Sequence, residues 1–336
     1  MHYVLRKLSG AILTLLAASF IIFVLVEASP GNVARKTLGP FASEGQVQVL
    51  YDKLQLGDPL IVRYGRWIGV LTGLRADPLA RPELGMNFKD PRGDQYVGNF
   101  GFSTMLKVPV ADIIGGRLLK SLLLAGIAIA AIIPLSIIIG TIGSLYAGRF
   151  LDRVMTLLST VLGSIPEFAS AVILIGIFVV HLEWLPGTSP MQPNGTWPIY
   201  AQLILPALVL TLYVSAYVSR FVRSAMIDVM AMPYVRTAIL KGMPYHRVVM
   251  AHVFRNAMIA PFTVILLQIN WLISGVVVTE VVFAYPGIGR LLLEAALFGD
   301  IAIIEAAALI AVCVAVTTQL VGDVGYMLLN PRIRFK

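Results

Sequence analysis

Long stretches without a charged residue constrain this chain more than anything else in it. Read with a window of about 19 residues, apolar runs stand out near 8–26, 118–146, 154–180, 199–222, 258–282 and 302–329. Each is long enough to cross the ~30 Å hydrocarbon core of a bilayer as a helix. In that medium backbone N–H and C=O groups must pair within their own segment, so helices are expected. The alternating pattern of an outer-membrane barrel does not occur in the sequence. Only 13% of the residues are charged and 58% are hydrophobic, too few polar groups to cover a soluble surface. The expected fold is an all-α polytopic membrane protein with about six transmembrane helices. Its first helix lies within 1–28, a large extracytoplasmic loop within 29–117, and the remaining spans within 118–336.

Orientation follows from the basic residues of the short loops. Arg6 and Lys7, then Arg149 and Arg153, then Arg220, Arg223, Arg236, Lys241, Arg247 and Arg255, and finally Arg332, Arg334 and Lys336 fall on one side. The positive-inside rule makes that side, with both termini, cytoplasmic. The net charge of +8 is therefore a topology signal, and no nucleic-acid partner is expected. Val26-Glu27-Ala28 resembles a signal-peptide cleavage site. The run before it exceeds the ~7–15 residues of a signal core, so an uncleaved span is expected. Residues 59–74 show helical spacing with a basic face, suited to lying along a membrane surface. Pro78, Pro82, Pro91 and Gly93 make 75–98 the least regular part of the first loop.

The loop over residues 230–261 carries the most specific punctuation. Pro233 suits the first turn of a helix, where its missing N–H is harmless. Gly242 is placed to end that helix with a positive φ, and Pro244 to begin another that carries Arg247, His252 and Arg255. Small Ala238 and Gly242 are expected to leave an exposed surface that a partner can approach closely.

Tyr234-Val235-Arg236-Thr237-Ala238 with Lys241-Gly242, followed by His252, Arg255-Asn256-Ala257 and Pro261, resembles the EAA loop of ABC importer permeases. Within these, the dipeptide/oligopeptide/nickel permease family is the nearest likeness. Thr279-Glu280, Phe283 and Tyr285-Pro286-Gly287-Ile288-Gly289-Arg290 resemble its segment after the fifth span, and Asn330-Pro331-Arg332-Ile333-Arg334 its C-terminal tail. Asp58-Pro59-Leu60, Arg66-Trp67, and Phe102-Ser103 with Pro109-Val110 resemble its first loop. Residues 75–98 depart from the family pattern as an insertion, and Pro261 stands one residue late.

The resemblance implies a translocation path formed with a second homologous permease, usually a distinct chain. It also implies two cytoplasmic ABC ATPases, each docked on one EAA loop (here about 223–257), and an extracytoplasmic solute-binding protein. Tyr234, Arg236, Thr237, Ala238, Lys241, Gly242, Met243 and Tyr245 would form the ATPase-coupling helix. His252, Arg255, Asn256, Glu280, Pro286, Gly287, Gly289, Pro331 and Arg332 hold the family's other motif positions. No cofactor is expected in this chain, ATP and Mg being bound by the partner ATPases. The cargo class is peptides or a similar small polar solute.

Other readings are weaker. Gly115-Gly116-Arg117-Leu118-Leu119-Lys120-Ser121 looks like a phosphate loop but lacks the glycine before lysine and a preceding strand. Glu167, Glu280, Glu305 and Asp323 fall in or near spans, where a functional carboxylate and a helix cap are both open readings. His2, His181, His246 and His252 lack metal-ligand spacing, Cys313 reads as packing, and no nucleophile–base pair suggests an enzyme. A self-sufficient secondary transporter would carry inverted repeats, and none is visible.

Overall fold

The computed structural model describes residues 2–27, 33–38, 41–53, 55–76, 92–93, 95–192 and 195–329. Pro331 and Arg332, and most of the irregular 75–98 stretch, lie outside these. The described residues form no strand; one antiparallel bridge pairs Phe102 with Pro109. The helices are α1 (His2–Glu27), α2 (Val33–Leu38), α3 (Glu44–Lys53), α4 (Leu60–Leu71), α5 (Val110–Leu145), α6 (Phe150–Ser164) and α7 (Glu167–Ile175). They continue with α8 (Ile199–Met230), α9 (Pro233–Leu240), α10 (Tyr245–Arg247), α11 (Arg255–Ala257), α12 (Ile259–Gly275), α13 (Val277–Val282), α14 (Ile288–Phe298) and α15 (Ile301–Leu329).

Among the described residues, four helices, α1, α5, α8 and α15, are long and apolar enough to span a bilayer alone. Two bent pairs bring the number to six if each is one span. The expected straight run over 154–180 is in fact broken by 102° between α6 and α7. Pro166 explains the break: it disfavours helical backbone at the preceding residue, and Ile165 and Pro166 are both extended, with ψ of 126° and 144°. The helix expected to begin at Pro244 and lead into the fifth run is present, and it is bent. Helix starts at Tyr245, passes through π-helical turns at Val248–Phe254, and bends by 49° before α12. Pro261 cannot donate to the Ala257 carbonyl four residues back and crowds it, which accounts for a bend at Met258.

The chain clusters into two compact units. One comprises Met1–Ser121 and Pro286–Val316. Here α4 is helical as its spacing predicts, and its aromatic face is docked on α1. Tyr64 and Trp67 lie 5.7 and 5.9 Å from the Phe23 ring, Ser19 and Tyr64 share a 2.6 Å hydrogen bond, and Arg63 pairs with Glu27. Buried Glu305 accepts a hydrogen bond from Trp67. Asp300, fully buried, caps α15 by accepting the Ile303 N–H at 3.2 Å. Its other oxygen accepts the Ser103 hydroxyl at 2.6 Å and the Met105 N–H at 3.0 Å, which ties down the end of the first loop.

The other unit comprises Leu122–Tyr285 and Thr317–Lys336. Its core joins Leu210, Val214, Val218 and Val222 of α8 to Leu124, Ala128 and Ile132 of α5 and to Ile265 and Leu272 of α12. Lipid is as apolar as these side chains, so helix association rests on close packing and polar contacts more than on the hydrophobic effect. Gly140 of α5 supplies the closest packing: a Cβ there would lie 2.5 Å from the Val222 Cβ and 2.6 Å from the Ser219 carbonyl oxygen. The principal polar contact joins α6 to α8. Asp152, 3% exposed, accepts Arg223 Nε at 2.5 Å and Nη2 at 2.8 Å, and also the Gly148 N–H at 2.8 Å. Glu167, at the start of α7, accepts both the hydroxyl and the backbone N–H of Thr279 in α13.

Candidate functional site

The segment between α8 and α12 folds as its punctuation predicts. Pro233 occupies the first turn of α9. Gly242 has φ of 77° and closes α9 through two bonds, its own N–H to the Ile239 carbonyl at 2.9 Å and the Met243 N–H to the Ala238 carbonyl at 3.3 Å. This is the pattern of a helix terminated by a left-handed residue. Pro244 then precedes α10 in extended conformation. Nothing lies within 4 Å of the Cβ position of Gly242, so its need for glycine is conformational and not steric within this chain.

Ala238 corrects one expectation. It is 9% exposed and packs with Val235 into the core of its unit, so it offers no open surface. The reason is the helical period: positions 235 and 238 share a face, and that face is needed to seat α9. The open face carries Arg236, Thr237, Leu240 (78% exposed) and Lys241, with Tyr234, Ile239 and Tyr245 also exposed. Met243 is half-buried against the core.

The structure brings three of the motif positions together. Asn256 donates to the Tyr234 hydroxyl at 3.0 Å and to the His252 carbonyl at 2.9 Å. A tyrosine at the start of α9 is thereby pinned to the helix leading into α12. Tyr234→Phe removes the acceptor, so faster amide exchange across residues 233–240 is expected. The corresponding loss is about 0.5–1.5 kcal/mol of local stability, the net worth of one hydrogen bond. Unaltered exchange would leave Tyr234 without an anchoring role.

The remaining motif residues serve elsewhere. Arg255 is exposed. Glu280 is 1% exposed in α13, where its carbonyl accepts the Tyr285 N–H at 2.8 Å. Gly287 and Gly289 are buried at the start of α14, and the adjacent Ile288 N–H donates to Ser121 at 2.8 Å. Sequence reasoning missed Asp152 altogether and used Arg223 only as a topology marker. They are 71 positions apart, and Asp152 stands between Arg149 and Arg153 in what reads as a basic loop.

An all-α chain with helices this long and apolar defines a polytopic membrane protein. Two solved structures share its fold. One is titled "Crystal structure of an amino acid ABC transporter with histidines" (TM-score 0.52, 13% identity, 66% of this chain and 96% of that one). The other is an inward-facing form of the MetNI methionine ABC transporter (TM-score 0.53, 14% identity, 65% and 96%). Residues 132–335 match the family described as "Binding-protein-dependent transport system inner membrane component", and residues 1–97 match its N-terminal counterpart. The chain is 32% identical over its full length to the whole glutathione transport system permease protein GsiC of Escherichia coli (strain K12). It is 30% identical, over 99% of each chain, to the probable peptide ABC transporter permease protein y4tP of Sinorhizobium fredii.

The chain belongs to the family of binding-protein-dependent transport system inner membrane components. It is therefore a permease subunit of an ATP-driven ABC importer and forms part of the translocation pathway. It crosses the inner membrane several times, works with ATPase and substrate-binding subunits, and is a transporter subunit and not an enzyme.

Proposed function

We propose that this subunit carries peptides or a similar small polar solute inward, driven through the segment 234–245. The cargo class is supported by relatives over the full chain that are called peptide and glutathione permeases. On this reading the open face of α9, with Tyr234, Arg236, Thr237, Lys241 and Tyr245, seats in a groove of a cytoplasmic ATPase. Gly242 and half-buried Met243 form the turn behind it, and Ala238 contributes from beneath by holding α9 to the core. Two ATPases, which hold ATP and Mg, drive two permeases, the second a distinct homologous chain, and both termini of this one face the cytoplasm. Closure of the ATPases then moves α9 as a rigid body and rocks the spans between outward- and inward-open states.

The observation that carries the coupling role is a short helix that is exposed on one face, anchored on the other and closed by a left-handed glycine. Gly242→Val tests it. The substitution places a branched side chain in left-handed backbone, a strain of about 1–2 kcal/mol, and adds bulk to an open surface. Uptake by reconstituted transporter is expected to fall by roughly tenfold or more, since ~1.4 kcal/mol corresponds to a factor of ten. Membrane insertion, followed by protease protection, should stay normal. Full uptake by a correctly inserted Gly242→Val variant would overturn the assignment.

A further inference from the structure

The helix α4 is amphipathic in the opposite sense to one resting on a bilayer. A surface-lying helix keeps its charged face in water and buries its apolar face. In α4 the exposed residues are Leu60, Ile61, Val62 and Gly65, none of them charged. The basic face turns inward, and its polar groups are partnered. Arg63 pairs with Glu27 and Arg66 with Asp58, the Tyr64 hydroxyl bonds Ser19, and Trp67 donates to Glu305. In the same loop α3 shows the ordinary arrangement. Its Val47 and Leu50 are buried, while Glu44, Gln46, Gln48 and Asp52 are exposed together with Val49.

The same contacts measure how deep α4 sits. Ser19 stands eight residues before Glu27, the end of α1, and so about 12 Å down the helix axis. The Tyr64 hydroxyl also lies 3.4 Å from the Leu16 carbonyl oxygen. That oxygen is about 16 Å from the end of α1, close to half of the ~30 Å hydrocarbon thickness. Trp67 meets α15 at its fifth residue, about 6 Å past the start of that span. Contacts with two different spanning helices thus place α4 below the membrane surface.

We propose that α4 is a re-entrant helix submerged in one leaflet, with the face of Leu60, Ile61, Val62 and Gly65 against lipid acyl chains. Unpaired charge in hydrocarbon is costly, and the pairing of Arg63 and Arg66 removes that obstacle. The face is continuous in character with the helix that carries it, since α1 leaves Leu13, Ile21 and Leu25 exposed to the same hydrocarbon. The first loop therefore returns into the bilayer after leaving it. The assignment stands independently of the coupling role of α9 and of which side either terminus faces.

Single cysteines at Ile61 in α4 and at Gln48 in α3, each in a Cys313→Ser background, test it in the assembled transporter in nanodiscs. Ile61→Cys is expected to react with a charged maleimide roughly tenfold or more slowly than Gln48→Cys, because the attacking thiolate is disfavoured in hydrocarbon. Labelled with bimane in detergent before reconstitution, Ile61→Cys should be quenched by lipids bearing a nitroxide on the acyl chain, and Gln48→Cys should not. Equal reaction rates overturn the proposal. Slow reaction without quenching by lipid also overturns it, because a protein neighbour such as the second permease then covers the face. Should Ile61→Cys fail to assemble, Leu60→Cys on the same exposed face decides by the same two readings.

Discussion

Asp152→Ala is expected to lower the stability of the purified protein by about 1.5–3 kcal/mol, the range for losing hydrogen bonds to a charged group, because Arg223 is 30% exposed and can regain water. Asp152 is 3% exposed and holds Arg223 at two points, so its removal leaves a half-buried guanidinium without its counter-charge. The Gly148 N–H loses its acceptor as well, which frees the turn leading into α6. Thermal unfolding in detergent of Asp152→Ala, Arg223→Ala and the double variant measures the pair. The double variant should be more stable than the sum of the single losses predicts, because neither charge is then stranded. Arg223→Lys keeps the charge and loses the two-point geometry, so an intermediate loss is expected. Strictly additive losses would mean that the two residues do not act together.

Gly140→Val is expected to prevent α5 and α8 from packing as they do. Even the Cβ of an alanine would sit 2.5 Å from the Val222 Cβ and 2.6 Å from the backbone oxygen of Ser219. Backbone cannot rotate aside as a side chain can, so the helices must separate. Overpacking of this kind costs about 1–3 kcal/mol for small additions, and valine adds two further methyl groups. Gly140→Ala should therefore reduce the yield of assembled protein, and Gly140→Val should reduce it further. Gly126→Ala is the control, since nothing lies within 4 Å of a Cβ at that position. Equal yields of the Gly126→Ala and Gly140→Val proteins would show that the close crossing is dispensable.

The helical class was legible because bilayer thickness and the need to satisfy every backbone group leave few alternatives to an uncharged run of this length. The turn at Gly242 was legible for a local reason: Pro233 and Pro244 restrict their own backbone and Gly242 takes a positive φ that other residues avoid, and those local preferences survive packing. Pro166 held the same kind of signal for the break between α6 and α7. It was overridden by the apolar run around it, because a hydropathy window averages away a single residue.

Side-chain partnerships were not legible in this way. The inward face of Ala238, the contact of Glu167 with Thr279, the Asp152–Arg223 pair and the crossing at Gly140 all depend on residues far apart in the chain. Composition and periodicity determined that this chain forms membrane helices, and local backbone chemistry determined where α9 begins and ends. Only the tertiary structure decided which polar group meets which and which glycine is indispensable, since those outcomes require distances that no spacing along the sequence specifies.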